Sequence, residues 1–281
     1  MITEAGPNDR AAIETLLAAR IDQAMFPLVN LRDHGLTPGD FPGPHDHAQR
    51  IWRTGNSLIA LTRAGMILPL LDGSPDLSGL KPVLHGLTIT GAVGPAASAR
   101  PVLAELGLDR LPTATDRDEP GFTLALDRLS LPDLPGTRLR PIRPADLPFL
   151  IDWRQTYIGE VLGGTGAEAR DRAEAELASY LKRDSHRLLL HHDRPVAMTG
   201  FNATQPEIVQ VGGVYTPDAL RGKGYARRAV ALHLAEARDR GVSRAVLFAA
   251  SAAAARAYRA IGFQPSTTFT LFLLSTPARI A

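Results

Sequence analysis

The segment V-G-G-V-Y-T-P-D-A-L-R-G-K-G-Y-A, residues 211–226, decides the fold of this 281-residue chain. Its first residues are apolar and predict a strand, and Pro217 and Asp218 mark the turn that follows. The R-G-K-G run then opens a predicted helix that continues to about Arg240. A strand, a glycine-bearing loop and a helix in this order direct free backbone N–H groups and the positive helix end towards a phosphate.

Basic residues crowd the first turn of this predicted helix: Arg221, Lys223, Arg227 and Arg228. Cations are disfavoured at a helix N-terminus, where an acidic group gains about 0.3–1 kcal/mol. The cluster therefore indicates a polyanionic ligand, with a solvated arginine face as the alternative.

Gly212-Gly213 inside the predicted strand indicates a β-bulge or a close backbone approach. A local irregularity without function explains the pair equally well. Two common phosphate-binding motifs are excluded. The chain contains no Walker loop, and Arg227 stands where the dinucleotide fingerprint requires its third glycine.

The segment instead resembles motif A of the GNAT superfamily, the Gcn5-related N-acetyltransferases. The family pattern is [Q/R]-x-x-G-x-[G/A] after a bulged strand, and it is matched by Arg221, Gly224 and Ala226.

A second motif lies downstream of a short predicted strand at residues 244–248. Residues 251–263 read S-A-A-A-A-R-A-Y-R-A-I-G-F, similar to the family's N-x-x-A-x-x-x-Y-x-x-x-G-F. Ser251 departs from the family, which usually has Asn there. The two motifs together carry the resemblance over roughly residues 137–275.

The composition is that of a globular protein with a sizeable core, at 44% hydrophobic and 21% charged residues. The absence of cysteine excludes disulfides, cysteine-ligated metals and a thiol nucleophile. His45 and His47 have no evident third ligand, so we expect no metal site. The N-terminus lacks a signal-peptide pattern, and the apolar run 58–71 is too short and too interrupted to span a bilayer. We expect a soluble cytoplasmic protein, a monomer or homodimer, without a membrane partner.

A cluster of prolines, from Pro132 to Pro144, marks a domain boundary that separates residues 1–131 from residues 137–281. The two halves show a similar order of predicted elements, which is a weak internal repeat. We therefore predict an α/β (α+β) fold of two tandem GNAT-like domains. Each has a mixed, mostly antiparallel sheet flanked by helices, and the second contains a bulged, splayed strand.

In the first half, residues 83–90 are predicted as a strand and the loop 91–99 stands where the second half has R-G-K-G. This loop lacks the G-x-G pattern. We therefore interpret the first half as a degenerate copy without a cofactor site; an unrelated α/β domain is the alternative.

The resemblance implies acetyl-CoA as the acyl donor, an amine as the acceptor, and direct transfer without a covalent enzyme intermediate. The expected acetyl-CoA-binding residues are Val214, Tyr215, Thr216, Arg221, Gly222, Lys223, Gly224, Tyr225, Ala226, Arg227 and Ser251. Pantetheine would pair with the strand as an added strand does. A backbone N–H of the same strand would polarise the thioester carbonyl.

Tyr258 matches by position the residue that usually protonates the leaving CoA thiolate in the family. Its phenol, with a pKa near 10, is a reasonable acid for that step. The alternative is an aromatic ring packed beside Gly262-Phe263.

A general base is not evident. Gln210 stands where some family members have a catalytic Glu, Glu207 is out of register with it, and Glu160 either orients a cationic acceptor or is solvated. We therefore expect no strand carboxylate as base, so that water or the acceptor's own equilibrium supplies the free amine.

A non-catalytic acyl-CoA-binding regulator that signals through its N-terminal half is the alternative function, although Tyr258 favours an enzyme. A nucleic-acid partner is disfavoured, because the basic residues cluster at one loop and no aromatic-basic stripe accompanies them. The acceptor stays open among protein N-termini, lysines, amino acids and aminoglycoside-like amines.

Overall fold

The computed structural model describes all residues, 1–281, as twelve β-strands and eight α-helices. The strands are β1 (Thr3–Glu4), β2 (Gln49–Thr54), β3 (Ser57–Thr62), β4 (Met66–Leu70), β5 (Thr88–Pro95), β6 (Thr113–Ala125), β7 (Thr137–Pro141), β8 (His186–His191), β9 (Arg194–Thr204), β10 (Ile208–Tyr215), β11 (Arg244–Phe248) and β12 (Gln264–Arg279). The helices are α1 (Arg10–Ala19), α2 (Ile21–His34), α3 (Leu80–Leu84), α4 (Ala96–Leu106), α5 (Leu147–Tyr157), α6 (Gly166–Arg183), α7 (Tyr225–Asp239) and α8 (Ala252–Arg259).

The chain forms two compact units. Unit 1 comprises Met1–Glu119 together with Thr267–Ala281, and unit 2 comprises Pro120–Ser266.

Within unit 1 the strands lie in the order β1-β2-β3-β4-β5, with β12 beside β5. Every neighbouring pair among them is antiparallel except β4 and β5, which are parallel. The core includes Ile59 and Ile67 of the central strands, Val102 of α4 and Phe272 of β12, all fully buried.

Within unit 2 the order is β7-β8-β9-β10-β11, with residues 121–125 of β6 beside β11. Here the parallel pair is β10 and β11, and the other neighbours are antiparallel. The two units therefore share one strand order and one placement of the parallel pair. This confirms the predicted internal repeat and fold class, because an unrelated domain would not reproduce both.

The first half differs in two places from the elements predicted for it. Residues 83–90 do not form one strand: α3 ends at Leu84, and β5 begins at Thr88. The predicted loop 91–99 is also wrong, because its first residues complete β5. A Cβ at Gly91 would lie 2.3 Å from the carbonyl oxygen of Phe272, so this glycine admits a neighbouring strand and does not form a turn.

The counterpart of the R-G-K-G segment in unit 1 is therefore the connection between its fourth and fifth strands, residues 71–87. That connection carries only the five-residue helix α3. In unit 2 the same connection carries the fifteen-residue helix α7.

Helices cover both faces of the unit 2 sheet, because successive strand residues point to opposite faces. On one face, Val209 and Val211 of β10 pack with Val230 and Leu234 of α7. On the opposite face, Leu188 and Met198 pack with residues of α5 and α6. The two faces of this sheet thus meet different helices, and we call them the α7 face and the α5/α6 face.

Candidate functional site

The parallel pair of unit 2 separates part of the way along its length. Ile208, Val209 and Gln210 pair with β11, and the last pair is Gln210 with Val246. Beyond it β10 continues to Tyr215, still paired with β9 but no longer with β11. The edge of residues 211–215 that faces β11 is therefore unpaired, which confirms the predicted splayed strand.

The predicted bulge lies in the same stretch. Gly212 pairs with Gly200 and Tyr215 pairs with Met198, so β10 advances by one residue more than β9. Gly213 takes up the extra length at φ +62°, a conformation that favours glycine. Residues 216–224 connect the bulged strand to α7, and the R-G-K-G run forms the end of this connection.

The start of α7 forms that loop. Gly222 and Gly224 have φ values of +78° and +80°, and Gly224 is the residue before the helix. The N–H of Arg228 bonds to the carbonyl of Gly224 at 3.0 Å. The three preceding N–H groups, of residues 225–227, come before the first helical hydrogen bond and have no partner within the helix.

The structure divides the basic cluster in two. Arg221 donates to Glu160 at 2.7 Å and to the carbonyl of Thr216 at 3.0 Å. Arg228 donates to the Pro132 carbonyl and to Thr137 Oγ1. These two cations are therefore paired within the protein. Glu160 was expected either to orient a cationic acceptor or to be solvated, and the structure shows its carboxylate in an ion pair with Arg221.

The other two cations have no ion pair in the structure. Lys223 is exposed, and Arg227 is half-buried with its Nε enclosed and without a hydrogen-bond partner. They flank the glycines at the start of α7, so a ligand at this helix end would meet two uncommitted positive charges.

The strand residues of the predicted acetyl-CoA site lead into this loop. Val214 is half-buried, and Tyr215 packs against Trp153 of α5 with 5.8 Å between ring centroids. Burial raises the pKa of Tyr215. Thr216 is buried, and its Oγ1 has no partner.

The side chains of two predicted residues, Tyr225 and Ser251, are engaged in hydrogen bonds within the protein. The phenol of Tyr225 lies 3.0 Å from Nδ1 of His191 and so points away from the loop. Ser251 caps α8, accepting a hydrogen bond from the N–H of Ala254 at 3.1 Å. Ala226 is half-buried in the first turn of α7.

Tyr258 lies on α8 and is only 7% exposed. Its ring meets that of Phe263 edge-on at 6.0 Å, and it belongs to the core cluster of the α7 face. The structure thus shows the packing expected for the alternative role, and a proton donor at this position would act from a largely enclosed ring.

The two residues considered at the position of a general base, Glu207 and Gln210, differ in burial. Glu207 is exposed just before β10, and its carbonyl accepts hydrogen bonds from Ser243 and Arg244. Gln210 is buried, its Nε2 donates to the Val211 carbonyl, and its Oε1 has no partner. The strand β10 itself contains no carboxylate.

Three glycines underlie two side chains that the sequence motifs did not single out. A Cβ at Gly200 would lie 2.1 Å from His186 Nε2, and a Cβ at Gly213 would lie 2.6 Å from it. A Cβ at Gly212 would lie 1.9 Å from Asn202 Nδ2. We call Gly200, Gly212 and Gly213 the glycine floor, because His186 and Asn202 fit over it only in the absence of Cβ atoms.

Buried charge surrounds this floor on the α5/α6 face. Arg154 is 6% exposed and donates to Glu176 of α6, with its guanidinium 4.5 Å from the ring centroid of Tyr157. Burial favours the neutral form of Glu176, but the Arg154 and Arg172 guanidinium groups outweigh it and hold its pKa below the usual value. The ring of Tyr180 stacks on His186 at 3.5 Å.

A splayed parallel pair, a β-bulge and a glycine-bearing helix start define the Gcn5-related N-acetyltransferase class of fold. Residues 147–263 match the acetyltransferase (GNAT) family. This match identifies a GNAT domain at residues 147–263.

Solved structures of this class are similar to the chain over nearly its whole length. A tandem GNAT protein from the clavulanic acid biosynthesis pathway is 14% identical, with 100% of this chain and 98% of that chain covered and a TM-score of 0.54. A GCN5-related N-acetyltransferase from Kribbella flavida is 16% identical, with 92% and 96% covered and a TM-score of 0.56. A GCN5-related N-acetyltransferase from Sphaerobacter thermophilus is 18% identical, with 100% and 95% covered and a TM-score of 0.52.

The structural similarity shows a shared fold over both halves of the chain, and at these low identities it shows the fold alone. No curated protein is significantly similar to the chain in sequence. None of the helices combines the length and the apolar character that crossing a membrane requires.

Proposed function

We propose that the chain is an acetyl-CoA-dependent N-acetyltransferase whose site lies in unit 2. The observation that carries the proposal is the unpaired edge of residues 211–215, which residues 216–224 connect to the start of α7. An extended amide chain can pair with such an edge as a further strand, and a pyrophosphate suits a helix N-terminus. The two halves of CoA thus have adjoining partners of the right chemistry.

The charges support the same assignment. The buried Arg227 Nε without a partner leaves a hydrogen-bond donor that folding alone does not satisfy, and such groups concentrate at functional sites. Lys223 supplies a second uncommitted cation. Thr216, whose Oγ1 also lacks a partner, lies between the strand edge and the loop.

A thioester supplies an acyl group that an amine can take directly. In the proposed reaction, an N–H of the splayed edge holds the carbonyl oxygen as charge develops on it. Tyr258 donates a proton to the departing sulfur. Because the chain has no cysteine, no enzyme thiol takes the acyl group on the way.

Unit 1 lacks the corresponding features. Pro69 of β4 packs against Gly94 of β5, and a Cβ at Gly94 would lie only 3.0 Å from the Pro69 ring. The two parallel strands therefore stay close where β10 and β11 separate. A five-residue α3 in place of α7 supports the proposal that unit 1 binds no acetyl-CoA.

The test combines binding and turnover. Calorimetry should show one acetyl-CoA bound per chain, and a panel of amines should include lysine, other amino acids, an aminoglycoside and a peptide with a free N-terminus. CoA release can be followed with a thiol reagent without background, since the protein has no thiol of its own. Binding without CoA release from any acceptor would indicate a regulator, and absence of binding would reject the proposal.

A further inference from the structure

His186 is a fully buried histidine at the bulge whose second ring nitrogen is unused. Nδ1 lies 2.9 Å from Ser185 Oγ, but Nε2 is buried without any hydrogen-bond partner. Leaving such a group unpaired costs roughly 1–3 kcal/mol. A purely structural ring at this place would be better served by phenylalanine.

The ring is positioned from three sides. Tyr180 stacks on the ring with an interplanar angle of 11°, and Gly200 lies so close that a Cβ there would be 2.1 Å from Nε2. Nε2 is the ring atom nearest to the Cβ position of Gly213, at 2.6 Å. Gly213 belongs to the stretch of β10 that is unpaired towards β11, so the unused nitrogen is directed at the strand that forms the proposed acyl slot.

We infer that His186 Nε2 is the proton acceptor for the attacking amine. This inference rests on the proposed function and supplies the base that β10 lacks. The ammonium group of the bound acceptor gives one proton to Nε2, and the resulting free amine bonds to the acyl carbon as the C–S bond breaks. The CoA sulfur takes a proton from Tyr258, the acylated nitrogen returns its second N–H proton to the tyrosinate through solvent, and the proton on His186 leaves to solvent.

The surroundings keep the imidazole in the form that can accept a proton. Burial lowers the pKa of His186 well below its usual value, and nearby cations lower it further. These cations are Arg154 from α5, Arg183 from α6 and Arg187 on its own strand, and the neighbouring His233 of α7 acts in the same direction. Carboxylates pair two of these cations, Glu176 with Arg154 and both Asp184 and Glu236 with Arg187.

The chain contains a matched control. His233 of α7 is also buried and neutral, both of its ring nitrogens lack partners, and its ring stacks on Phe201 at 3.8 Å. Phe201 packs in the α7-face core, whereas His186 stacks on Tyr180 of α6. His233→Phe therefore reproduces the chemical change away from the glycine floor.

The experiment compares His186→Phe and His233→Phe with the wild type on the most active amine of the panel. His186→Phe retains the ring that stacks on Tyr180 and should bind acetyl-CoA normally while losing roughly 10²–10⁴-fold in kcat. The wild-type rate should be flat from neutral pH down to below 6.5, and in His186→Phe it should rise about tenfold per pH unit up to the pKa of the amine. A His186→Phe enzyme with a rate within threefold of the wild type and the same pH profile would overturn the inference, while wild-type turnover would leave the proposed function standing.

A second measurement uses the wild type alone, should His186→Phe fail to fold. Histidine labelled with ¹⁵N can be followed by NMR as a bisubstrate probe is added, in which CoA is joined through an acetyl bridge to the same amine. The Nε2 signal of His186 should shift and that of His233 should not. An unchanged His186 signal at saturation would reject the inference.

Discussion

Tyr258 occupies a position in which packing and catalysis predict different outcomes for one substitution. It is 7% exposed and contacts Phe263, so Tyr258→Phe removes a hydroxyl and keeps the ring. If the phenol protonates the CoA thiolate, turnover should fall roughly 10²–10⁴-fold with acetyl-CoA affinity nearly unchanged. Steady-state kinetics and calorimetry together check this.

The exposed Glu207 provides the comparison for Tyr258. Glu207→Gln should change the rate less than tenfold, because its side chain lies outside β10 and only its carbonyl makes structural hydrogen bonds. A collapse of acetyl-CoA affinity in Tyr258→Phe, with normal turnover per bound molecule, would assign Tyr258 to packing.

At the scale of the element, the start of α7 predicts the effect of a single negative charge. Asp tolerates the left-handed conformation of Gly224 better than most residues, and its carboxylate would lie against Arg227, whose Nη2 is 3.6 Å from the Cβ position. Gly224→Asp should therefore reduce acetyl-CoA affinity well over tenfold by calorimetry. Gly241→Asp, at φ +96° in open space beyond the other end of α7, should leave the affinity unchanged, and an unchanged affinity in Gly224→Asp would refute the placement.

The junction of β7 and α5 makes stability depend on pH. Asp146 accepts two hydrogen bonds from Arg140 and one from the N–H of Arg143, and the Arg140 bonds lower its pKa. A folded-state pKa below the unfolded value of about 3.9 stabilises the protein above that pH, and the contribution is lost as pH falls through the folded value. Asp146→Asn should lower the free energy of unfolding by about 1.5–3 kcal/mol at pH 7, with a smaller difference at pH 3.

Urea denaturation at the two pH values measures this difference. Asp193→Asn is the control. Asp193 pairs with Arg138, which lies on β7 like Arg140, but both side chains of this pair are more than half exposed. An exposed pair contributes about 0–1 kcal/mol. Equal losses in the two variants would contradict the role given to Asp146.

At the scale of the whole molecule, the sheet of unit 2 predicts which fragment folds. Residues 137–281 lack β6, so β11 loses one of its two partner strands and the core loses the fully buried Phe122 and Leu126. At roughly 2–5 kcal/mol for each large buried side chain, this removes much of the ~5–15 kcal/mol that stabilises a domain. Fragment 120–281 should unfold cooperatively in urea and fragment 137–281 should not, and equal stability would show that β6 is dispensable.

Much of the fold could be predicted from the sequence, because the hydrophobic periodicity of the longer segments indicates whether each forms a helix or a strand. The strand predicted at residues 244–248 agrees with β11, and the helix predicted to continue to about Arg240 agrees with α7, which ends at Asp239. The glycine pair on β10 correctly predicted a bulge. The loop predicted from the local sequence at Gly91 and Gly94 is wrong. A Cβ at either position would lie too close to backbone and side-chain atoms that are distant in the chain, and the local sequence does not show these contacts.

The candidate site was predictable only where a motif is continuous in sequence. The loop from Arg221 to Ala226 lies at the helix start expected for it, but the ion pair that removes Arg221 from the free cations joins it to Glu160. His186 was missed for a similar reason. The histidine lies on β8, whereas the glycines beside it lie on β9 and β10 and the ring that stacks on it belongs to α6. A histidine in a short apolar strand carries no such signal by itself.

The position of β12 in unit 1 has a consequence for the order in which the protein can be completed during synthesis. Residues 267–281 pair with β5, so the unit that leaves the ribosome first lacks one strand of its sheet until the last residues of this sequence have followed. Residues 120–266 have to be translated in between, which takes on the order of 10 seconds at roughly 5–20 residues per second. During that interval the β5 edge is open to other chains, so the nascent protein is most exposed to misassembly while the half that carries the proposed catalytic site is still being made.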